Sequence, residues 1–218
     1  VHPSGQTLLF DTGLHTDLVD GVAARYPLMA RQFESRFDNN DVVSARLENV
    51  DVDPSSVDKI VFSHLHFDHC GGTALVPNAQ IIVQRSEWQS GHHSKLIEYE
   101  VYKPDDFDLG HDVLQIEGEH DVFGDGSVLC LPTPGHTAGH QSLRVNLTSG
   151  PVILTGDCVY WEEVLEKMLL PPFGFDHEMQ LNSMGYLKAL RDEQGCKLLF
   201  GHDEAQWADL DRSSKGLT

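Results

Sequence analysis

Cysteine is scarce in this chain and is never closely paired. No Cys-x-x-Cys motif occurs in the 218 residues, and the four cysteines are Cys70, Cys130, Cys158 and Cys196. A chain long enough to bury a sizeable core does not need the disulfide staples that are typical of small secreted domains. We therefore predict reduced thiols and a cytoplasmic location.

Long apolar runs and linkers are missing as well. No apolar stretch approaches the ~20 residues that a helix needs to cross a bilayer, which argues against a membrane partner. No Pro/Ser/Gly-rich linker, low-complexity tract or internal repeat divides the chain. One core is the economical interpretation, so we predict a single domain that spans residues 1–218.

Basic residues are few. The chain has 15 Lys and Arg against 34 Asp and Glu, which gives a formal net charge of −19. Because nucleic-acid binding needs a positively charged surface, this balance opposes a nucleic-acid-binding module or a nuclease. A small-molecule substrate fits the composition better, and a homodimer is left open.

Histidine, by contrast, is concentrated directly after an apolar run at residues 59–62. Three imidazoles and a carboxylate fall within six residues: His64, His66, Asp68 and His69. These are ligands that zinc and its first-row neighbours accept, and the Gly71-Gly72 pair lets the backbone fold closely around them. A solvated His-rich loop is the alternative. Four adjacent ligands cannot all converge on one tetrahedral ion, so two ions are predicted.

Three further segments repeat one pattern, in which an apolar run leads through glycine to a ligand-type residue. The runs cover residues 128–131, 152–155 and 197–200, and the ligand-type residues that follow them are His136, Asp157 and His202. Singly, each is more often a turn residue than a ligand. Their repetition beside the histidine cluster favours the metal-site interpretation.

The coarse secondary structure is mixed. Apolar residues three or four apart predict a helix from Leu18 to Ser35, which Pro27 must bend or restart. Asp176 is predicted to cap a second helix that ends at Gln194. One stripe of that helix is predicted to be core, and it consists of Leu181, Met184, Leu187 and Leu190.

Strands are predicted at residues 59–63 and 80–84, and they dominate from residue 112 to residue 156. Strands before and after the centre, together with outlying helices, suit two packed sheets flanked by helices. The fold class is therefore α+β.

Five short motifs follow one another along the chain in a characteristic order. Asp11-Thr12-Gly13 and the segments "SHLHFDHCGG", "PGHTAGHQSL", "PPFGFD" and "FGHD" occur in an order that resembles the metallo-β-lactamase superfamily, along nearly the whole chain. Within it, these segments look like those of the quorum-quenching N-acyl-homoserine lactonases. The resemblance implies an αββα sandwich. Relatives usually have at least one more strand before the first motif, so we expect N-terminal strands and part of the substrate pocket to be missing from this chain, which starts at Val1.

The resemblance also implies how the ligands divide between two divalent metal ions. One ion would be held by His64, His66 and His136, the other by Asp68, His69 and His202, and Asp157 would bridge them. Zinc is the default, although cobalt, manganese or iron suit the same donors. Cys70 and Cys158 directly follow proposed ligands, but a buried cysteine acting as a small hydrophobe is the favoured interpretation.

Catalytic roles are implied for two residues. A hydroxide that bridges the metals would attack the lactone carbonyl, because two cations lower the pKa of a shared water. Tyr160 lies where the lactonases carry a catalytic tyrosine and would stabilise the oxyanion, while Asp68 would shuttle a proton to the leaving oxygen.

Other residues are candidates for support. Predicted substrate contacts, besides Tyr160, are the aromatic residues Phe67, Phe173 and Phe175, which suit a greasy acyl tail. Predicted to orient ligating imidazoles are Asp11, His140 and Asp203, for which turn or capping roles are the alternative.

The sequence therefore favours a dinuclear-metal hydrolase that opens the lactone ring of N-acyl-homoserine lactones. A pyridoxolactonase-like enzyme shares the tyrosine and stays open, as does a glyoxalase-II-like thioesterase, which shares all seven ligands. A β-lactamase is disfavoured, because an aspartate at the Asp157 position marks the other dinuclear hydrolases of the superfamily.

Overall fold

The computed structural model describes residues 1–99 and 101–210. The chain divides into two compact units. The first comprises residues 1–83 and 88–115, and the second comprises residues 84–87 and the chain from residue 116 onward. Each unit contains its own β-sheet.

The sheet of the first unit contains four strands in the order β1-β2-β3-β4. These are β1 (Leu8–Phe10), β2 (Lys59–Val61), β3 (Gln80–Gln84) and β4 (Val113–Ile116), of which only Gln84 and Ile116 belong to the second unit. Strands β1, β2 and β3 are parallel, with Phe10 opposite Val61. Because parallel neighbours end at the same sheet edge, the residues after β1 and β2 emerge side by side.

Short helices surround this sheet. The α-helices are α1 (Val43–Glu48), α2 (Phe67–Cys70), α3 (Arg85–Gly91, whose first three residues belong to the second unit) and α4 (Ser94–Glu98). Single 3₁₀ turns lie at Thr16–Asp20, Val22–Ala24, Met29–Arg31, Pro54–Ser56, Thr73–Leu75 and Pro104–Asp106.

The predicted long helix from Leu18 to Ser35 is wrong. Three short 3₁₀ turns replace it, because Gly21 adopts φ 98° and ψ 157°, and because Pro27 has no N–H to continue a helix. The spacing nevertheless identified a buried face, since Leu18, Val22 and Tyr26 pack together.

The glycine pair that follows the histidine cluster lies at a close backbone approach. A Cβ atom added at Gly71 would lie 2.4 Å from the His15 nitrogen, and one at Gly72 would lie 2.3 Å from the Thr12 oxygen. Only glycine fits at such distances, so these two residues let α2 pack against the turn that follows β1.

The sheet of the second unit contains five strands in the order β5-β6-β7-β8-β9. They are β5 (His120–Asp121), β6 (Val128–Pro132), β7 (Gln141–Leu147), β8 (Gly150–Leu154) and β9 (Lys197–Leu199). Neighbours from β5 to β8 are antiparallel, whereas β8 and β9 are parallel. Strands β6, β8 and β9 therefore run in one direction and end at one edge.

Among the described residues, the α-helices of this unit are α5 (Glu162–Lys167), α6 (His177–Gln194) and α7 (Glu204–Asp209), besides a 3₁₀ turn at Gly156–Cys158. The predicted start of α6 is confirmed, because Asp176 Oδ1 accepts a hydrogen bond of 2.9 Å from the Met179 N–H. Its predicted apolar stripe is also confirmed as core, with Met184, Leu187 and Leu190 buried and Leu181 packed against them.

Two other predictions can be compared with the structure. All four cysteines are unpaired and buried, as the sequence predicted. Within residues 1–99 and 101–210, no helix combines the length and the apolar character needed to cross a bilayer.

Candidate metal centre

In the first unit, the loop that follows β2 brings its ligand-type side chains together. His64 Nε2 lies 3.0 Å from His66 Nδ1. The ring centroids of His64 and His69 are 4.0 Å apart, and His69 Nε2 lies 3.5 Å from Asp68 Oδ2. Imidazole nitrogens and a carboxylate oxygen thus converge within one loop, which is the donor set that zinc-like ions accept.

Asp11 supports this loop from the neighbouring strand end. Its Oδ1 accepts the Ser63 N–H at 2.7 Å, and its Oδ2 lies 2.8 Å from His69 Nδ1. The Ser63 hydroxyl donates to Asp11 Oδ2 at 2.7 Å and lies 2.9 Å from His64 Nδ1. Since Nδ1 of both imidazoles is engaged, Nε2 would be their metal-binding atom.

In the second unit, Asp157 lies between two imidazoles. Its Oδ2 is 3.5 Å from His136 Nε2, and its Oδ1 is 3.1 Å from His202 Nε2. The three residues follow β6, β8 and β9, the strands that end at one edge of the sheet. A buried carboxylate with one oxygen toward each of two imidazoles has the orientation that a ligand shared by two cations requires.

His140 is buried and holds the backbone of Asp157. Its Nε2 accepts the Asp157 N–H at 3.0 Å, so the proton of this imidazole is on Nδ1. The Nδ1–H then donates to the Thr133 carbonyl oxygen, 3.1 Å away. His140 thus orients the shared carboxylate through its backbone, and its ring centroid also lies 6.1 Å from that of His136.

Asp203 lies at the start of α7 and caps it. Its Oδ1 accepts the Gln206 N–H at 2.9 Å, and its Oδ2 accepts the Glu162 N–H at 3.2 Å. These contacts match the capping alternative and place α5 and α7 next to His202.

Tyr160 lies against two of the predicted ligands. Its hydroxyl is 3.3 Å from His136 Nδ1. Its ring centroid is 5.3 Å from that of His202. The phenol therefore lies beside His136 and His202, the two imidazoles that flank Asp157.

Two of the three predicted aromatic contacts are exposed, and Phe67 is partly buried against the core residues Leu18, Val22 and Tyr26. Phe173 and Phe175 expose 56% and 63% of their surface, and the Phe175 N–H donates to the His136 carbonyl oxygen at 3.0 Å. In the first unit, Phe67 separates His66 from Asp68, and its ring contacts Tyr26 and Phe33. Exposed aromatic side chains next to ligand loops are typical of a ligand-binding surface.

Glu87 is a buried acid next to the site that the sequence pattern did not indicate. Glu87 is completely buried, and its Oε2 accepts the Thr137 hydroxyl at 2.7 Å and the Gly139 N–H at 3.0 Å. A Cβ atom at Gly139 would lie 2.3 Å from the Glu87 nitrogen. Glu87 therefore fixes the loop that carries His136. A single glutamate inside an amphipathic segment gives no signal of this role in the sequence.

The donor chemistry fits divalent metal ions. All seven predicted ligands belong to groups of His and Asp side chains that could hold a metal ion. The neighbouring thiols of Cys70 and Cys158 are buried, and burial raises the pKa of both. A thiol binds metal as the thiolate, so nitrogen and oxygen are the favoured donors.

Comparison with known proteins agrees with this arrangement. Residues 1–202 match the model of the metallo-beta-lactamase superfamily. The chain therefore belongs to this superfamily, and its two sheets and helices are those of the metallo-β-lactamase fold.

Within the superfamily the chain is similar to N-acyl homoserine lactonases. It is 36% identical over 201 residues to an N-acyl homoserine lactonase of Bacillus sp, covering 91% of this chain and 77% of that protein. It is 29% identical over 221 residues to N-acyl homoserine lactonase AttM of Azorhizobium caulinodans, covering 97% and 82%.

A solved structure gives the same comparison in three dimensions. It is an N-acyl homoserine lactone hydrolase with the product N-hexanoyl-L-homoserine bound at the catalytic metal centre. The TM-score is 0.83 at 32% sequence identity, and the match covers 94% of this chain and 79% of that one.

Proposed function

We propose that the protein is a metal-dependent ester-bond hydrolase that opens the lactone ring of N-acyl homoserine lactones, a quorum-quenching reaction. The observation that carries the proposal is the orientation of Asp157, with one carboxylate oxygen toward His136 and the other toward His202. The similarity to lactonases over most of the chain supports the choice of substrate.

The proposed ligands are the seven His and Asp side chains of the candidate metal-binding groups. His64, His66 and His136 would hold one ion, Asp68, His69 and His202 would hold the other, and Asp157 would contribute to both. Zinc is the proposed metal, because imidazole and carboxylate donors suit it. When bound, two such cations make water acidic enough to supply hydroxide near neutral pH and offset negative charge on a carbonyl oxygen.

Two side chains of the protein, Tyr160 and Asp68, have proposed roles in the reaction. The phenol of Tyr160, 3.3 Å from His136 Nδ1, donates a hydrogen bond to the oxyanion that forms at the lactone carbonyl. Asp68, whose side chain is 32% exposed, takes up a proton at a carboxylate oxygen and returns it to the leaving ring oxygen. The half-exposed position keeps this carboxylate in reach of substrate.

The acyl chain of the substrate is proposed to contact the aromatic side chains. Phe173 and Phe175 are exposed, and Phe67 is part of the ligand loop. Burying these rings against an aliphatic chain removes apolar surface from water, at about 25 cal/mol per Å². Longer acyl chains should therefore bind more tightly than short ones.

A pH-stat assay tests the proposed function, because ring opening releases a proton. The metal-replete protein is supplied in turn with N-acyl homoserine lactones of several lengths, pyridoxolactone and S-lactoylglutathione. We expect the fastest proton release with the acyl homoserine lactones, its loss on chelation, and its return with zinc. Faster turnover of S-lactoylglutathione would favour a thioesterase, and faster turnover of pyridoxolactone would favour the other lactonase.

A further inference from the structure

A buried ionic cluster in the first unit takes no part in the proposed reaction. Asp106 is only 1% exposed. Arg25 Nε donates to its Oδ1 at 2.7 Å, and the Tyr26 hydroxyl donates to its Oδ2. The Arg25 guanidinium also donates to the Asp105 carbonyl oxygen at 3.2 Å. Both oxygens of this carboxylate are thus satisfied, as a buried charge requires.

The cluster fixes Tyr26 where regular structure does not. Arg25 and Tyr26 follow the short turn Val22–Ala24 and belong to no α-helix or strand. Lys103 holds the same segment, because its Nζ donates to the Arg25 carbonyl oxygen at 3.3 Å and lies 5.5 Å from the Tyr26 ring centroid. Side-chain hydrogen bonds to residues 103–106 therefore add to the backbone hydrogen bonds that Tyr26 makes with Val22 and Ala30, and they fix the completely buried Tyr26 ring.

The Tyr26 ring in turn contacts the ligand loop. Its centroid lies 5.0 Å from that of Phe67, at an interplanar angle of 45°. Phe67 is the first residue of α2 and separates His66 from Asp68. Tyr102, four residues before Asp106, places its ring 5.3 Å from the ring of His66. One short segment thus reaches two consecutive residues of the loop, one directly and one through Tyr26.

We propose that Tyr26, anchored by Asp106 and Arg25, is a positioning residue that fixes Phe67 and so sets the metal affinity of the loop from His64 to His69. This inference rests on the metal binding of the proposed function. A side chain that orients a ligand loop lowers the cost of organising it around an ion. An ordinary core side chain contributes to the stability of the fold alone.

The test measures zinc affinity by competition with a chelator, together with the melting temperature. Tyr26→Leu removes the ring that contacts Phe67, so we expect zinc binding about tenfold to a hundredfold weaker. Tyr26→Phe keeps the ring and deletes only the hydroxyl, so its loss of affinity should be smaller. In a Phe67→Leu background, Tyr26→Leu should change the affinity little, because its effect passes through Phe67.

Leu47→Ala is the matched control. Leu47 is buried in the core of the same unit, so this variant should lower the melting temperature at unchanged zinc affinity. Tyr26→Leu with wild-type zinc affinity and a similar loss in melting temperature would overturn the inference. Equal effects of Tyr26→Leu with and without Phe67 would overturn it too.

A substitute variant and the zinc binding of the wild-type protein complete the test. If Tyr26→Leu does not fold, Asp106→Asn is measured instead. It keeps the ring but weakens its anchor, so folded Asp106→Asn protein with wild-type affinity would overturn the anchoring role. Wild-type protein that binds no zinc would refute the proposed function itself, whereas zinc binding that is indifferent to Tyr26 refutes only this inference.

Discussion

At the scale of single residues, the Asp157 carboxylate is held from several directions. Its two oxygens lie near His136 and His202, and its backbone N–H donates to His140 Nε2. The His140 imidazole is fixed in turn by Thr133. The orientation of the carboxylate therefore follows from the protein alone, which reduces the reorganisation that metal binding would require.

Tyr160→Phe tests the role of the phenol. The ring and its packing stay while the donor is lost, so we expect turnover of acyl homoserine lactones to fall by about a hundredfold, or less because metal shares the charge. Metal content and melting temperature should hardly change. Steady-state kinetics with wild-type kcat and KM would contradict the role. A parallel loss of metal would assign the hydroxyl to holding His136 instead.

Glu87→Ala tests how much the buried Glu87 carboxylate stabilises the protein. The substitution leaves the Thr137 hydroxyl and the Gly139 N–H buried without their acceptor. We expect the free energy of unfolding to fall by about 2–4 kcal/mol, measured in urea. The control Glu178→Ala, at an exposed position on α6, should stay within about 0.5 kcal/mol of wild type. A Glu87 variant as stable as this control would contradict the account.

At the scale of elements, replacing glycine by alanine should have opposite effects on stability at two positions of the second unit. A Cβ atom at Gly135, where φ is +133°, would lie 2.2 Å from the Gln180 nitrogen. Gly135→Ala should therefore destabilise the protein by on the order of 3 kcal/mol, because α6 must move away from the His136 loop.

Gly185 lies inside α6, and a Cβ atom there would meet nothing within 4 Å. Gly185→Ala should raise the free energy of unfolding by about 0.5–1 kcal/mol, because alanine loses less backbone entropy in a helix. Thermal or urea unfolding of the two variants side by side provides the measurement. The same sign of change in both would contradict the packing described for Gly135.

Elements with a local signal were predictable from sequence, and elements that depend on distant contacts were not. The N-cap Asp176 and the apolar stripe of α6 lie within one segment, so the sequence located that helix correctly. The segment from Leu18 to Ser35 has helical spacing, but Tyr26 is held by Asp106, 80 residues away. Propensity and periodicity contain no information about such a contact.

The candidate site likewise has parts that could be predicted from the sequence and parts that could not. Its ligand-type residues follow strand ends and glycines, which is a local pattern, and in each sheet parallel strands bring those ends to one edge. Glu87 acts through Thr137, 50 positions along the chain, and this pairing has no local signature. The assignment of seven ligands to two ions stays a prediction.

At the scale of the whole molecule, the burial of the cysteines predicts that their thiols react slowly. All four are buried, and burial raises the pKa of Cys130 to about 12. The reactive species is the thiolate, so at about pH 8 the protonated form dominates. We expect a disulfide reagent such as DTNB to label none of them in the native protein and all four after denaturation. Rapid native labelling of one or more would contradict the burial.

Other predictions about the whole molecule stay predictions. The structure describes two compact units, each with its own sheet, and the single domain inferred from sequence awaits a test of cooperative unfolding. The cytoplasmic location likewise stays a prediction, and a homodimer stays open.

The zinc content of the saturated protein shows whether two metal ions share Asp157, as proposed. Elemental analysis of protein purified without chelator, loaded with zinc and freed of excess should give about two equivalents per chain. Asp157→Asn should give clearly less, because the shared carboxylate loses its charge. One equivalent at saturation, with the Asp157→Asn protein unchanged, would contradict the account.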